Sequence, residues 1–150
     1  MTPPRSSIMV KLCDALAAAV NQSQSQAVAA TDLCLLEAFD KLSELTIRVT
    51  PYKTGFSAET RAATVRVDAQ LTVWVADPGG PAAVAPGMLL VEDIANGIFR
   101  QRLQFAAGEA IQAVVTKAEI ATVYDLERLQ TSHLFLSAIR AHVVAWYTPC

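Results

Sequence analysis

The sequence has few of the residues from which metal sites, disulfides and nucleophilic active sites are built. It contains three cysteines and two histidines in 150 residues. Cys13, Cys34 and Cys150 are widely separated, form no CxxC pair and have no histidine at metal-ligand spacing. Buried thiols at Cys13 and Cys34 are therefore the simpler interpretation, and we expect neither a disulfide framework nor a metal or cofactor site.

The few candidate catalytic groups do not form a recognisable constellation. His133 and His142 lie nine residues apart on a predicted strand, so regular alternation sends them to opposite faces. Glu92 and Asp93 are placed in the first turn of a predicted helix, where the helix dipole explains them. No glycine-rich phosphate-binding pattern follows a predicted strand. We therefore expect a protein that is not an enzyme.

Charge is also scarce, at 17% of residues, while 53% are hydrophobic. Soluble domains usually carry about 25% charged residues. A charge-poor surface is typical of proteins that contact other proteins, although an alanine-rich composition accounts for the figure equally well. The formal net charge of −2 argues against a dedicated nucleic-acid binder and leaves room for a local basic patch.

No apolar run reaches the 18 or more residues expected of a membrane span. Lys11 and Asp14 interrupt the apolar part of the N-terminal segment, which is unlike the core of a signal peptide. We therefore expect no membrane association and a protein made and kept in the cytoplasm of its cell.

The clearest local pattern is the strict alternation of residues 64–76, with hydrophobic side chains at odd positions. Period two predicts a strand with one buried and one wet face, and Trp74 falls on the wet face. Residues 45–50 form a second strand that Pro51 closes. The polar stretch that follows predicts an extended loop or arm over residues 51–63, which would leave Tyr52 and Phe56 as large aromatics in water.

Two helices are predicted, over residues 8–20 and 88–104. In the second, Arg100 and Arg102 fall in the last turn, where they complement the helix dipole, and Gly97 suggests close packing against the sheet. The Pro- and Gly-rich residues 77–87 predict a loop. Residues 27–45 are compatible either with a helix capped by Thr31 or with a short buried strand.

The last third of the chain predicts two strands, over residues 114–123 and 132–147, joined by a polar connection. The second is apolar on both faces and is expected to be central or to contain a bulge. The fold class is therefore α+β, an antiparallel β-sheet with two main helices packed on one face and element order α-(β?)-β-β-α-β-β. We expect a single domain over residues 1–150, with residues 1–6 flexible.

Four segments resemble, in order and spacing, the small neck proteins of tailed bacteriophages, and most of all the tail-terminator group. These segments are LTIRVTP, RAATVRVDAQLTVWVAD, LLVEDIANGIFRQRL and AVVTKAEIATVYDLERLQTSHLFLSAIRAHVVAWY. The resemblance extends over roughly Ile47 to Tyr147 and consists of hydrophobic patterns and short runs such as LVEDIAN.

The resemblance implies a structural virion protein made in the host bacterial cytoplasm. Its subunits would form a homohexameric ring that ends the tail tube and gives the capsid connector a docking surface. The implied partners are other copies of the chain, the tail tube and sheath proteins and the head-tail connector or adaptor. DNA would only pass through the lumen. The resemblance also implies that Ala27 to Ala38 is partly strand and transfers no catalytic residue.

Within this interpretation, five residues are candidates for the oligomer or partner interface: Tyr52, Lys53, Phe56, Arg61 and Trp74. Arg100 and Arg102 are candidates for lumen-facing charges. A further expectation is that the long strand extends beyond its sheet at the end near Arg66. The alternatives are another neck, head-completion or tail-completion subunit, and a small soluble ligand-binding module or enzyme.

Overall fold

The computed structural model describes residues 7–33, 42–58 and 64–148. Nine helices and strands follow one another along these residues. In chain order they are α1 (Ile8–Ser23), β1 (Ala29–Thr31), β2 (Thr46–Ala58), β3 (Val65–Asp77), a 3-10 helix (Gly80–Ala83), α2 (Val84–Ile98), β4 (Ile111–Thr122), α3 (Leu126–Ser132) and β5 (Phe135–Tyr147). The α+β fold class predicted from the sequence is confirmed.

The five strands form one sheet in the order β1-β2-β3-β5-β4. The four long strands pair antiparallel, whereas β1 is parallel to β2, so the sheet is mixed rather than purely antiparallel as predicted. The Asn21 side chain of α1 holds β1 in place. Its amide donates to the Ala29 carbonyl and its oxygen accepts from the Ala29 N–H.

The uncertain stretch after α1 contains the short strand β1. Strand structure at residues 29–31 agrees with the partial strand that the resemblance implies. Residues 34–41, which carry most of the alternative helix, lie outside the described residues.

Strand β3 has the buried odd face that its alternation predicts, with Val67, Leu71 and Val73 fully inaccessible. It is hydrogen-bonded on both sides along its whole length. Val65, at its first position, pairs with Ala58 of β2 and with Tyr147 of β5. The prediction that this strand extends past its sheet is therefore wrong, because its neighbours are equally long.

The predicted loop over residues 51–63 is wrong for residues 51–58, which continue β2. Pro51 does not end the strand, since β1 pairs only as far as Val49 and no other described residue pairs with the outer side of β2 beyond that point. A proline without an N–H is tolerated at such an edge. The register then shifts between Pro51 and Lys53, which marks a bulge at Tyr52.

Helix α2 begins and ends earlier than its hydrophobic period predicts. The predicted loop is helical from Gly80, because Pro81 and Pro86 fall near helix starts, where an N–H is not needed. Glu92 and Asp93 therefore lie in mid-helix. Arg100 and Arg102 lie beyond Ile98, so the predicted complementarity to the helix dipole is wrong.

Gly97 packs against α1 rather than against the sheet. A Cβ at this position would lie 2.5 Å from the Ser23 Cβ. The glycine that contacts the sheet is Gly87, where a Cβ would lie 2.5 Å from Cε1 of the buried Phe135 ring. The two glycines of α2 therefore allow close packing against α1 at Gly97 and against the sheet at Gly87.

Strand β5 lies between β3 and β4, which confirms the prediction of a central strand. The bulges occur in β4, where the register shifts after Val115 and after Ile120. The polar connection before β5 is the two-turn helix α3, capped by the Asp125 carboxylate, which accepts from the Arg128 N–H. His133 ends this helix with φ +53° and is not part of the strand, contrary to the prediction.

Helices α1 and α2 pack together on one face of the sheet, as predicted. Leu12 and Leu16 of α1, Leu90 and Ile94 of α2, and the odd positions of β3 form one hydrophobic core. The other face of the sheet carries the side chains of the alternate positions.

Candidate functional site

The sheet face opposite α1 and α2 is called the open face here. The ladder register and strand alternation assign its side chains. They include Arg48, Thr50, Tyr52, Lys53 and Ser57 of β2; Arg66, Asp68, Gln70, Thr72 and Trp74 of β3; Gln112, Val114, Lys117 and Glu119 of β4; and Ala138, Arg140, His142, Val144 and Trp146 of β5. Most of these residues are at least partly solvent-accessible.

The open face is basic although the chain is acidic overall. It carries five lysine and arginine side chains and two carboxylates, a formal charge of +3. Over the rest of the described residues, four basic side chains stand against nine carboxylates, a formal charge of −5. The net charge of −2 therefore hides a separation of charge between the open face and the remainder of the molecule.

Part of the charge on the open face is neutralised by ion pairs. Arg66 pairs with Asp68 at 3.1 Å. On the β4 side, Lys117 lies 3.3 Å from Glu119, and His142 Nε2 lies 3.0 Å from the same carboxylate. The hydrogen bond with His142, followed by that with Lys117, lowers the pKa of Glu119.

The remaining three cations form, with one tyrosine, what we call the basic cluster: Arg48, Tyr52, Lys53 and Arg140. The Arg140 guanidinium carbon lies 3.4 Å from the centroid of the Tyr52 ring, and Lys53 Nζ lies 5.3 Å from it. Among the described residues, none of the three cations has a carboxylate within ion-pair distance. The interaction with Arg140 and the charge of Lys53 lower the pKa of the Tyr52 phenol.

Hydrogen bonding leaves the basic cluster with spare donors. Arg48 Nη1 donates to the Ile47 carbonyl oxygen at 2.9 Å, a bond within its own strand. The Nε atom of Arg140 is buried and has no hydrogen-bond partner among the described residues. Burying an N–H without an acceptor costs free energy, and the contact that the same guanidinium makes with the Tyr52 ring opposes that cost.

Trp74, a predicted interface residue, is half-buried and has partners within the chain. Its indole N–H donates to Thr50 Oγ1 at 3.0 Å. The ring also packs beside a second small hydrophobic cluster that includes Leu134 and Leu136. These contacts account for its position on the wet face, and its contact with a partner stays a prediction.

Among the described residues, none pairs with the outer edge of β2 beyond the segment paired with β1. Residues 51–57 are all exposed, including Tyr52 at 50% and Phe56 at 56% accessibility. The structure thus places three of the predicted interface residues, Tyr52, Lys53 and Phe56, on one strand edge. Arg61 lies outside the described residues.

Arg100 and Arg102, the candidate lumen charges, belong to neither the open face nor a helix end. The chain turns at Arg100, with φ +64°, and then runs along the outer edge of β4. The Arg100 N–H donates to the Val115 carbonyl and the Leu103 N–H to the Ala113 carbonyl, both at 2.9 Å. Arg102 lines a groove between α1 and the end of α2. A role for either charge in a lumen stays a prediction.

The described residues hold no group of three or more His, Cys, Asp and Glu side chains that could bind a metal ion. In the same residues, no helix has the length and apolar character needed to cross a membrane. Burial, reinforced by the charge of Asp14, raises the pKa of the Cys13 thiol to about 12, so this thiol is neutral at physiological pH.

Sequence reasoning missed the basic cluster. It placed Lys53 in a predicted loop, and it predicted that β5 is apolar on both faces, which gave no signal for Arg140. Strand pairing brings these residues together, and the order of the strands is not visible in the local pattern.

No protein-family model and no curated protein sequence matches the chain. Among solved structures, the chain is similar to one from the "virion of native gene transfer agent (GTA) particle", with a TM-score of 0.49 and 17% identity. The alignment covers 92% of this chain and 99% of that chain. A likeness at this level carries no argument about function.

Proposed function

We propose that the protein is a structural subunit of a tailed-phage-like virion, specifically a tail terminator. Its subunits form a homohexameric ring that caps the tail tube and joins it to the capsid connector. The sequence resemblance over Ile47 to Tyr147 supports this assignment. The role is one of assembly and requires no catalytic step.

The structural observation that carries the proposal is the free edge of β2. An edge strand presents unpaired N–H and C=O groups, and monomeric proteins usually shorten, charge or cover such edges. Here residues 51–57 lie open for half the length of the strand, with Tyr52 and Phe56 beside the free backbone groups. A neighbouring subunit that covers this edge would bury both aromatic rings and satisfy the backbone.

The proposed contact is head-to-tail rather than two-fold. A two-fold contact would pair the β2 edge with the same edge of one other subunit and would end at a dimer, so a hexameric ring requires this edge to meet a different surface. The outer edge of β4 is not equivalent to it, since the segment that contains Arg100 and Leu103 partly covers β4. Contacts between two different surfaces generate rings when the rotation closes. A closed ring would meet the tail tube and sheath proteins on one side and the connector on the other, and DNA would pass through its lumen.

Native mass at micromolar concentration tests the ring. We expect a hexamer for the unmodified chain and a shift to monomers for Phe56→Glu, because a carboxylate at the buried edge is costly to desolvate. Leu89→Glu is the matched control, since Leu89 is an equally exposed hydrophobic residue on α2, 59% accessible. A strict monomer for the unmodified chain, or an unchanged mass for Phe56→Glu, would defeat the proposal. A deletion of residues 53–60 is less informative, because it removes part of a sheet strand.

The particular role is tested by imaging virions assembled without the protein. Loss of a terminator should give tails of uncontrolled length. Tails of normal length that fail to join capsids would instead assign the protein to another head-completion or tail-completion ring.

A further inference from the structure

We propose that the open face binds nucleic acid through its phosphate backbone, without reading base sequence, and that the basic cluster is the centre of this surface. The inference does not depend on ring formation, because every residue of the surface lies within one subunit.

Charge is separated between the open face and the other described residues. A formal charge of +3 on one sheet face and −5 over the other described residues directs a polyanion to that face alone. The acidic remainder would repel the same polyanion. A basic face within an acidic chain therefore orients a nucleic acid as well as attracting it.

The carboxylate that faces the basic cluster is already engaged by other side chains. Glu119 stands opposite Arg140 in the β4–β5 ladder, but it pairs with Lys117 and His142.

Lys53 and Arg140 both lie against the Tyr52 ring, and Arg48 lies five residues before Lys53 on β2. Among the described residues, none of these three cations has a carboxylate within ion-pair distance. Like charges at short range repel one another, and an anion between them relieves that repulsion. Arginine suits phosphate oxygens in particular, since its guanidinium donates two parallel hydrogen bonds. Arg140 also has a buried Nε–H without an acceptor among the described residues.

The basic side chains of the open face are spread along β2 and the strand beside it. Arg48 and Lys53 lie along β2, and Arg66 lies opposite Ser57 near the far end of the same strand. At about 3.3 Å per residue, the row extends over roughly 30 Å. A regular, extended polyanion matches such a row better than a single acidic side-chain cluster does. Phosphate groups along a nucleic-acid strand are spaced regularly, whereas carboxylates on a protein surface generally are not.

Aromatic side chains lie between the cations on the open face. Tyr52, Trp74 and Trp146 are half-buried or exposed on the same face. Aromatic rings beside basic side chains on a flat sheet are a common platform for single-stranded nucleic acid, where bases stack on the rings. Duplex and single-stranded forms share the phosphate chemistry, so the experiment has to separate them.

The test is binding of the full chain to a labelled 20-base-pair duplex of random sequence and to a single strand of the same length. Fluorescence anisotropy over a series of salt concentrations gives the affinity and its salt slope. We expect both to bind, with tighter single-strand binding if the aromatic rings take part. The double variant Lys53→Gln/Arg140→Gln should weaken binding at least tenfold at low salt. It should also reduce the salt slope by about two, since each phosphate contact contributes roughly 0.9.

The matched control is Arg100→Gln/Arg102→Gln, which removes the same charge from outside the open face. We expect less than a threefold loss for this variant. Equal losses for the two variants, or no binding by the unmodified chain, would overturn the proposal. Labelled polyglutamate supplies a further arm. If it binds as tightly as nucleic acid and is lost in the same variant, the surface is for an acidic protein and the phosphate assignment is wrong.

Two single variants at Lys53 separate a loss of charge from a loss of folding. Lys53 is exposed, so Lys53→Gln alone should leave the circular dichroism spectrum unchanged and still weaken binding severalfold. Lys53→Arg should retain binding, because the charge is kept. Loss of binding in Lys53→Arg with an intact spectrum would also contradict a role based on charge.

Discussion

The two faces of one sheet differ in charge and in most of their burial although their side chains alternate along the same strands. On the covered face, Val67, Leu71 and Val73 are fully buried under α1 and α2. On the open face, the neighbouring residue Asp68 is exposed. Trp74, which follows Val73, is half-buried and donates a hydrogen bond to Thr50 of β2. Thr50, Thr72 and Ala138 of the open face are nevertheless buried. The comparison teaches that the covered face determines the stability of the fold, while the open face is free to serve recognition.

The largest effect is expected on the covered face, from Phe135→Ala. This ring is inaccessible to solvent and lies against Gly87 of α2, so its removal leaves a cavity that the rigid helix layer fills poorly. We expect a loss of about 3–5 kcal/mol in the free energy of unfolding. Chemical denaturation measures it. Val144→Ala, at a half-buried position of the open face on the same strand, is the control and should cost much less. Similar losses at the two positions would contradict the division between the faces.

A smaller effect is expected from the polar contact that the open face uses for stability. The Trp74 indole N–H donates to Thr50 Oγ1 across the β2–β3 ladder. A double-mutant cycle with Trp74→Phe and Thr50→Val should give a coupling of about 1 kcal/mol, the usual net value of one hydrogen bond. Additive effects of the two substitutions would show that this contact does not stabilise the sheet.

The smallest effect is a pH dependence from Glu119. Its pKa is lowered in the folded chain, first by the hydrogen bond with His142 and then by that with Lys117. A lowered pKa contributes stability above the unfolded-state value of 4.5, and this contribution fades as pH falls through the folded value. The unmodified chain should therefore melt at a slightly higher temperature than Glu119→Gln at pH 7, and the difference should shrink as pH falls below 4.5.

His142→Ala supplies the control for this pH effect. Without the imidazole, Glu119 loses the largest cause of its shift, so the pH-dependent difference should shrink. A melting difference that stays constant between pH 7 and pH 3 would mean that the carboxylate acts through something other than its charge.

Burial explains which parts of the fold were predictable. Residues 64–76 and the helix period of α1 carry strong patterns because one side of each packs on the core, and both elements were located within a few residues. The distal half of β2 carries no alternation, since residues 51–57 are exposed on both faces. A strand that buries neither side leaves no hydrophobic period, and its polar composition therefore predicts a loop.

The candidate site was only partly predictable, for a different reason. Local pattern identified Tyr52, Lys53 and Phe56 as exposed positions, but it gave them no common neighbours. Arg140 stands opposite Thr72 and Glu119 only because β5 inserts between β3 and β4. The net charge of the chain gave no sign of the basic open face, because it adds together the charges of surfaces that the fold separates.

The position of β5 also affects the time at which the fold can form. This strand is the last of the five to leave the ribosome, yet it fills the middle of the sheet. Its pairing with β3 joins residues as far apart as Val65 and Tyr147, and such distant contacts slow folding because a long loop must close first. Until β5 pairs, β3 and β4 each leave one row of backbone N–H and C=O groups without a strand partner. Newly made chains should therefore be prone to aggregate until β5 has left the ribosome and inserted between these two strands.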